Sequence, residues 1–193
     1  KLKSLTSAHF QKTTHNGGSF FFTSAFSPHK QMEHNMIKVG DTLPAGTLME
    51  YVEVEGNGCS IGPNPVDVTK ATEGKTIALF ALPGAFTPTC SAKHVPGYGV
   101  DEIWCVSVND AFVMGAWARD QKTGTKVRML GDGSGDFSKA TGLTLDLTTR
   151  GMGVRSNRYS MLVKDGKVVT LNVEGPGKFE VSDAATLLAQ AKA

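Results

Sequence analysis

The chain has 193 residues, 40% hydrophobic and 20% charged, with a formal net charge of +2 and a mean hydropathy of −0.14. That length suits one domain with a real core, and the composition is ordinary for a soluble globular protein. The small charge leaves no electrostatic footprint for nucleic acid, and no apolar run approaches the ~18 residues of a membrane-spanning helix, so neither nucleic acid nor membrane is an expected partner.

Residues 1–36 read differently from the rest. They are rich in Ser, Thr, His, Asn and Gln, hold four of the five histidines, and set Lys1, Lys3, Lys12 and Lys30 against Glu33 alone. Phe20-Phe21-Phe22 is their only apolar cluster, and the histidines show no metal-ligand spacing. This composition marks 1–36 as a leader or flexible extension (a tail, a tag or a targeting segment) ahead of a domain at 37–193. Few acids and many hydroxyls favour a transit peptide, while missing arginines and a missing amphipathic period oppose it. The expected location is the cytoplasm, or an organelle if 1–36 is a transit peptide.

Beyond Ile37 the punctuation becomes regular. Ile77–Leu82 is a short unbroken apolar run ended by Pro83-Gly84, the pattern of a strand buried on both faces. Glu102–Val108 is a second such strand. Asp110 is placed to cap a helix through Phe112, Val113, Ala116 and Trp117. Lys126–Leu130 is a third strand candidate, followed by a Gly/Asp/Ser loop and a short helix around Phe137–Thr141. Tyr159–Val163, Asp165-Gly166 and Val168–Val173 form a hairpin, because Asp-Gly supplies the positive φ of a tight turn. Ser182-Asp183 starts a last helix through Leu187 and Leu188. Alternating strands and helices, then a hairpin and a helix, predict an α/β domain: a mixed central sheet with helices on both faces, the layout of a thioredoxin-like fold.

The three cysteines, Cys59, Cys90 and Cys105, form no C-x-x-C pair, so neither a zinc ribbon nor a dithiol motif is present. Their odd, low number argues against a disulfide-stapled secreted fold and suits a reducing compartment. Most such cysteines are buried core residues. Cys90 stands apart. It ends the string Pro83-Gly84-Ala85-Phe86-Thr87-Pro88-Thr89-Cys90, just beyond the carboxyl end of a buried strand. If a helix starts after Thr89, Cys90 lies in its first turn, where backbone N–H groups and the helix dipole favour the nucleophilic thiolate. Thr87 is placed to aim its hydroxyl back at the sulfur.

This string resembles the peroxiredoxin motif Pro-x-x-x-Thr-x-x-Cys, with Pro83, Thr87 and Cys90 in register. The longer run PGAFTPTCSAKHVPGY, the block Val106–Val113 and Arg158-Tyr159-Ser160-Met161 are similar to the type II, or Prx5-like, subfamily. The resemblance covers roughly Ile37 to Ala189. It implies a thiol peroxidase that reduces hydrogen peroxide and organic hydroperoxides through a sulfenic acid at Cys90. Thr87 would hold the peroxide oxygens, Arg158 would stabilise thiolate and developing charge, Pro83 would shield the sulfenic acid, and Phe86 would join Thr87, Cys90 and Arg158 in binding substrate. It further implies no metal or organic cofactor, recycling by a thiol donor (glutathione with glutaredoxin, or thioredoxin), and a homodimer.

Two features depart from the family pattern. The region where some type II members carry a resolving cysteine reads Pro176–Ser182 and has none. Cys105 stands where plant-like members resolve, and Cys59 is a weaker candidate; the default is one-cysteine behaviour. Between Tyr98 and Gly99 the chain lacks about ten residues of the family, leaving residues 91–101 as a crossover near the ~10–12-residue minimum. Other readings carry less. His94, four residues past Cys90, suggests a cysteine-hydrolase pair, but no orienting acid or amide is evident. Gly131–Gly135 lacks the Gly-Lys-Ser/Thr of a phosphate loop and reads as a turn. A threonine takes the first position of what would be C-x-x-C, against a disulfide oxidoreductase. The alternative from another class is a catalytically silent thioredoxin-like module for redox sensing or interaction.

Overall fold

A computed structural model describes residues 35–52, 61–86 and 100–193. The chain divides into the units Lys1–Met32 and Glu33–Ala193, and the fold below is that of the second. Most of the expected leader, together with Cys59, Thr87, Cys90 and His94, lies outside the described residues.

The domain opens with an antiparallel pair, β1 (Thr47–Val52) and β2 (Ile61–Asp67). Helix α1 (Val68–Thr72) follows at once, capped by the Asp67 carboxylate, which accepts from the Lys70 N–H. Next come β3 (Thr76–Leu82), β4 (Glu102–Ser107), α2 (Ala111–Asp120), β5 (Arg128–Gly131) and α3 (Asp136–Ala140). A small separate hairpin pairs β6 (Thr144–Leu147) with β7 (Gly153–Ser156). The long hairpin β8 (Tyr159–Lys164) and β9 (Lys167–Val173) precedes the last helix, α4 (Ala184–Lys192).

Seven strands form one sheet in the order β2-β1-β5-β4-β3-β8-β9. The central β3, β4 and β5 run parallel, and antiparallel β1 and β8 flank them. Strand alternation sends Ile77, Leu79 and Ala81 to one face and Ala78, Phe80 and Leu82 to the other. On the first face they join Trp104, Val106, Leu130 and Met161 beneath Val68 of α1 and Phe137 of α3. On the second, Leu82, Cys105 and Met129 meet Met114 and Trp117 of α2, while Ala78 and Leu162 meet Leu187 of α4. Helices thus cover both faces, as the unbroken apolar run of β3 requires. Each fully buried aliphatic side chain there contributes roughly 1.5–3 kcal/mol of transfer free energy.

The expected elements stand, with local differences at their ends. The second strand stops at Ser107, because the Asn109 N–H turns back to the Ser107 carbonyl at 2.8 Å. The third begins at Arg128, after a turn in which the Lys126 N–H bonds to the Thr123 carbonyl, and it runs on through Gly131. The Asp-Gly hairpin has the expected backbone, with φ of 51° at Asp165 and 72° at Gly166. Asp110 and Asp183 cap α2 and α4 through carboxylate bonds to the first-turn N–H groups.

Candidate active site

Strand β3 delivers the chain to the turn Pro83–Phe86 at its carboxyl end, where open α/β sheets place their ligands. Its neighbour β8 starts at the same end: Ala81 pairs with Tyr159, so continuing the register sets Arg158 across from Leu82. Arg158 and Leu82 line one small cleft, with Phe80, Ala81, Tyr159, Phe179 and Ser182, whose interior space of about 10 Å³ matches a single water. The Arg158 guanidinium lies over the Phe179 ring, 5.5 Å from its centroid, within cation–π range. Pro83, Phe86 and Arg158 therefore share one end of the sheet; in the sequence Thr87 follows Phe86 directly and Cys90 comes three residues after Thr87.

Phe86 is 54% exposed, with a φ of 61° and its ring 6.4 Å from that of Trp117. A bulky residue in the left-handed region is uncommon, and such conformations cost about 1–3 kcal/mol and persist only where their surroundings hold them. Three side chains hold the turn and the loop beside it. The Asn109 side-chain oxygen accepts the Ala85 N–H at 3.0 Å and the Ser107 hydroxyl at 2.7 Å. Arg155 donates from one side to the Val108 carbonyl at 2.7 Å and from the other to the Met152 carbonyl at 2.6 Å, tying the β4–α2 loop to the small hairpin.

Cys105 sits elsewhere. It is fully buried at mid-strand in β4, paired with Phe80 and Met129 and packed beside Leu82, Met114 and Trp117. The Tyr159 hydroxyl is also wholly buried, and desolvation, reinforced by the Asp132 charge, pushes its pKa well above the usual value. It is held protonated. Asp132 itself accepts from the Phe137 and Ser138 N–H groups and the Ser138 hydroxyl, so the glycine-rich loop ends as a cap for α3. Among the described residues, no group of three or more His, Cys, Asp or Glu is arranged to hold a metal. No described helix is long and apolar enough to cross a membrane.

Residues 38–188 match the Redoxin family. Peroxiredoxin-2B of Arabidopsis thaliana is 44% identical, over 79% of this chain and 96% of its own. The chain belongs to the peroxiredoxin family. It is a thiol peroxidase of the type II, Prx5-like kind. Peroxiredoxin-2E, chloroplastic, of the same plant is 46% identical over 79% of this chain and 68% of its own. Among solved structures, reduced Prx3 of Vibrio vulnificus in complex with H₂O₂ superposes with a TM-score of 0.72 at 46% identity, covering 81% of this chain and 99% of that one. The alignment with Peroxiredoxin-2B spans 162 positions, and 79% of 193 residues leaves about ten of them without a counterpart here. That agrees in size with the shortening read between Tyr98 and Gly99.

In this peroxiredoxin the residues that shape the turn after β3 escaped sequence reasoning. Asn109 and Ser107 belong to the string Val106–Asp110 that carries the family resemblance, yet neither has a motif of its own. Their role rests on a hydrogen bond across 24 positions of sequence, which no local pattern announces. The same holds for Glu174 and Phe179, which meet Arg158 only because β9 returns alongside β8.

Proposed function

We propose that Cys90 is the peroxidatic cysteine of this thiol peroxidase, acting on hydrogen peroxide and organic hydroperoxides. The carrying observation is the convergence of the Pro83–Phe86 turn, which leads into Thr87 and Cys90, with Arg158 at one end of the sheet. The Cys90 thiolate attacks the terminal oxygen of ROOH. An S–O bond forms as the O–O bond breaks, sulfur is oxidised by two electrons, and the departing alkoxide takes a proton to leave as alcohol or water. Thr87 holds the peroxide oxygens. Arg158 stabilises the thiolate and the charge on the departing oxygen, a fixed electrostatic contribution of the kind that is usually large. Pro83 shields the sulfenic acid, and Phe86 adds a wall to the substrate site.

The sulfenic acid is recycled by an external thiol, glutathione with glutaredoxin or thioredoxin. One thiolate displaces water to give a mixed disulfide, and a second releases Cys90 as thiolate, carrying two electrons in all. Burial of Cys105 within β4 supports this one-cysteine cycle, since resolution there would need the strand to leave the sheet. The working unit is a homodimer and no cofactor takes part. Two relatives are chloroplastic by name, which supports an organellar location if residues 1–36 are a transit peptide, and a cytoplasmic one if they are not.

The test is intact mass after brief exposure to one equivalent of H₂O₂ with a sulfenic-acid trap, beside Cys90→Ser. A rapid adduct that disappears in C90S is the expected result. No adduct in the parent chain, or an adduct that survives in C90S, would overturn the assignment of Cys90.

A further inference from the structure

At the end of β9 the chain makes a tight excursion, Gly175–Ser182, before α4. The excursion turns on Gly177, whose φ is 75°, and on a bond from the Lys178 N–H to the Gly175 carbonyl. Its return is gathered by one side chain. A single carboxylate oxygen of Glu174, Oε1, accepts the backbone N–H groups of Glu180, Val181 and Ser182, each at 2.8 Å. Glu174 is a buried acid, 8% exposed. Burial pushes its carboxyl pKa up, but the three N–H bonds outweigh that and hold it below the usual value, so the clamp is charged at neutral pH. Three backbone N–H groups converging on one carboxylate oxygen make this side chain the organiser of the returning segment.

That role is visible at both ends of Glu174. Its own N–H donates to the Arg158 carbonyl at 3.0 Å, fixing the backbone from which the guanidinium projects. Its carboxylate fixes residues 180–182, and the residue just before them, Phe179, is the one whose ring lies 5.5 Å from the Arg158 guanidinium carbon. One residue thus sets both the root of the Arg158 side chain and the surface against which its head rests. A guanidinium stacked on a ring is oriented at its face while its N–H edge can still donate.

We propose that Glu174 is the positioning residue of Arg158, folding the 179–182 segment so that Phe179 holds the guanidinium in its working orientation. The inference rests on the assignment of Cys90 and Arg158 above. It extends the active site to the β9–α4 connection, where the chain has no cysteine to resolve with. That segment serves the first half-reaction, through Arg158, and not the second.

The test compares Glu174→Ala, Glu174→Gln, Phe179→Ala and Arg158→Gln by two readouts: the pH profile of Cys90 alkylation, and kcat and KM for H₂O₂ with a thiol donor. Arg158→Gln should lower kcat/KM by roughly 10²–10³-fold and raise the apparent Cys90 pKa. Glu174→Ala should do the same in kind, by about tenfold or more, as loss of a supporting shell does. Glu174→Gln keeps an acceptor oxygen in place and should restore most of the pH profile. Phe179→Ala leaves the clamp intact, should also raise the Cys90 pKa, and decides the matter if Glu174→Ala does not fold. An effect of Arg158→Gln with no shift in the Cys90 profile of folded Glu174→Ala or of Phe179→Ala would overturn this inference alone. No effect of Arg158→Gln would overturn the Arg158 assignment and this inference with it.

Discussion

The backbone N–H of Ala85 donates to the side-chain oxygen of Asn109 at 3.0 Å, joining the turn after β3 to the loop after β4. The same oxygen takes the Ser107 hydroxyl at 2.7 Å, so one acceptor holds two donors from two strand ends. Asn109→Ala leaves both donors without that partner, at a cost of about 1–3 kcal/mol. Asn109→Asp keeps an acceptor oxygen there and should lose much less. The Ala variant should melt several degrees lower and show a reduced kcat/KM for peroxide. A turnover unchanged in a folded Asn109→Ala would show that the tether does not reach the chemistry.

Gly131 backs that tether from the other side. A Cβ built on it would stand 2.7 Å from the Asn109 carbonyl oxygen and 3.0 Å from the Ala111 nitrogen, both backbone atoms that cannot swing aside. Gly131→Ala should therefore push the Asn109–Ala111 backbone away from β5, destabilising the fold by about 1–3 kcal/mol. Because both substitutions act on one loop, their effects should not add: the melting temperature of the double variant with Asn109→Ala should fall by less than the sum. Strict additivity would mean that β5 and the Ala85 tether are independent.

Local patterns made much of the fold legible in the sequence. Strand β3 carries a long unbroken apolar run because it is buried on both faces, β4 and β8 carry shorter ones at Ile103–Val106 and Met161–Val163, and Asp110, Asp183 and Asp165-Gly166 announce caps and a turn through local chemistry. Strands β1 and β2 lacked such a signal. In Thr47–Val52 only Leu48 is buried, and β2 contains Pro63 and Pro65, tolerable because β2 is an edge strand. At the site, a motif identified Pro83, Thr87 and Cys90 because their spacing is local. Asn109, Gly131 and Glu174 act through contacts that depend on which strands become neighbours, and Gly131 reads in sequence as a simple turn residue.

Cys105 is a packing residue of the second core face. Its side chain fills space between β4 and α2, beside Met114 and Trp117. Cys105→Ala should cost about 1 kcal/mol for the small cavity, visible as a modest fall in melting temperature. Sulfenic acid formed at Cys90 should persist equally long in the parent and in Cys105→Ala when no thiol donor is present. A parent that loses two hydrogens after oxidation, in a reaction abolished by Cys105→Ala, would make Cys105 the resolving cysteine.

Acid stability is set at the opposite end of the sheet from Arg158. Glu102, at the start of β4, accepts from Lys75, from the Trp104 indole at 2.7 Å and from Arg128 at 3.0 Å. Arg128 also binds Glu50 with two nitrogens, the nearer contact at 2.6 Å. Partial burial pushes the Glu102 pKa up, but the bonds from Lys75, Trp104 and Arg128 prevail and bring it down to about 2. A folded-state pKa below the unfolded value means the unfolded chain binds the proton first as pH falls. The contribution of Glu102 is therefore full above the unfolded pKa, near 4.5, and is lost progressively between there and about pH 2. Allowing for solvent screening at a partly exposed network, it should be on the order of 1–2 kcal/mol. Unfolding free energy, measured by denaturant titration from pH 7 to pH 3, should drop more steeply for the parent than for Glu102→Gln, which starts lower and responds less to acid. Parallel curves for the two proteins would show that Glu102 titrates alike in the folded and unfolded chain, and that its three donors do not hold its charge.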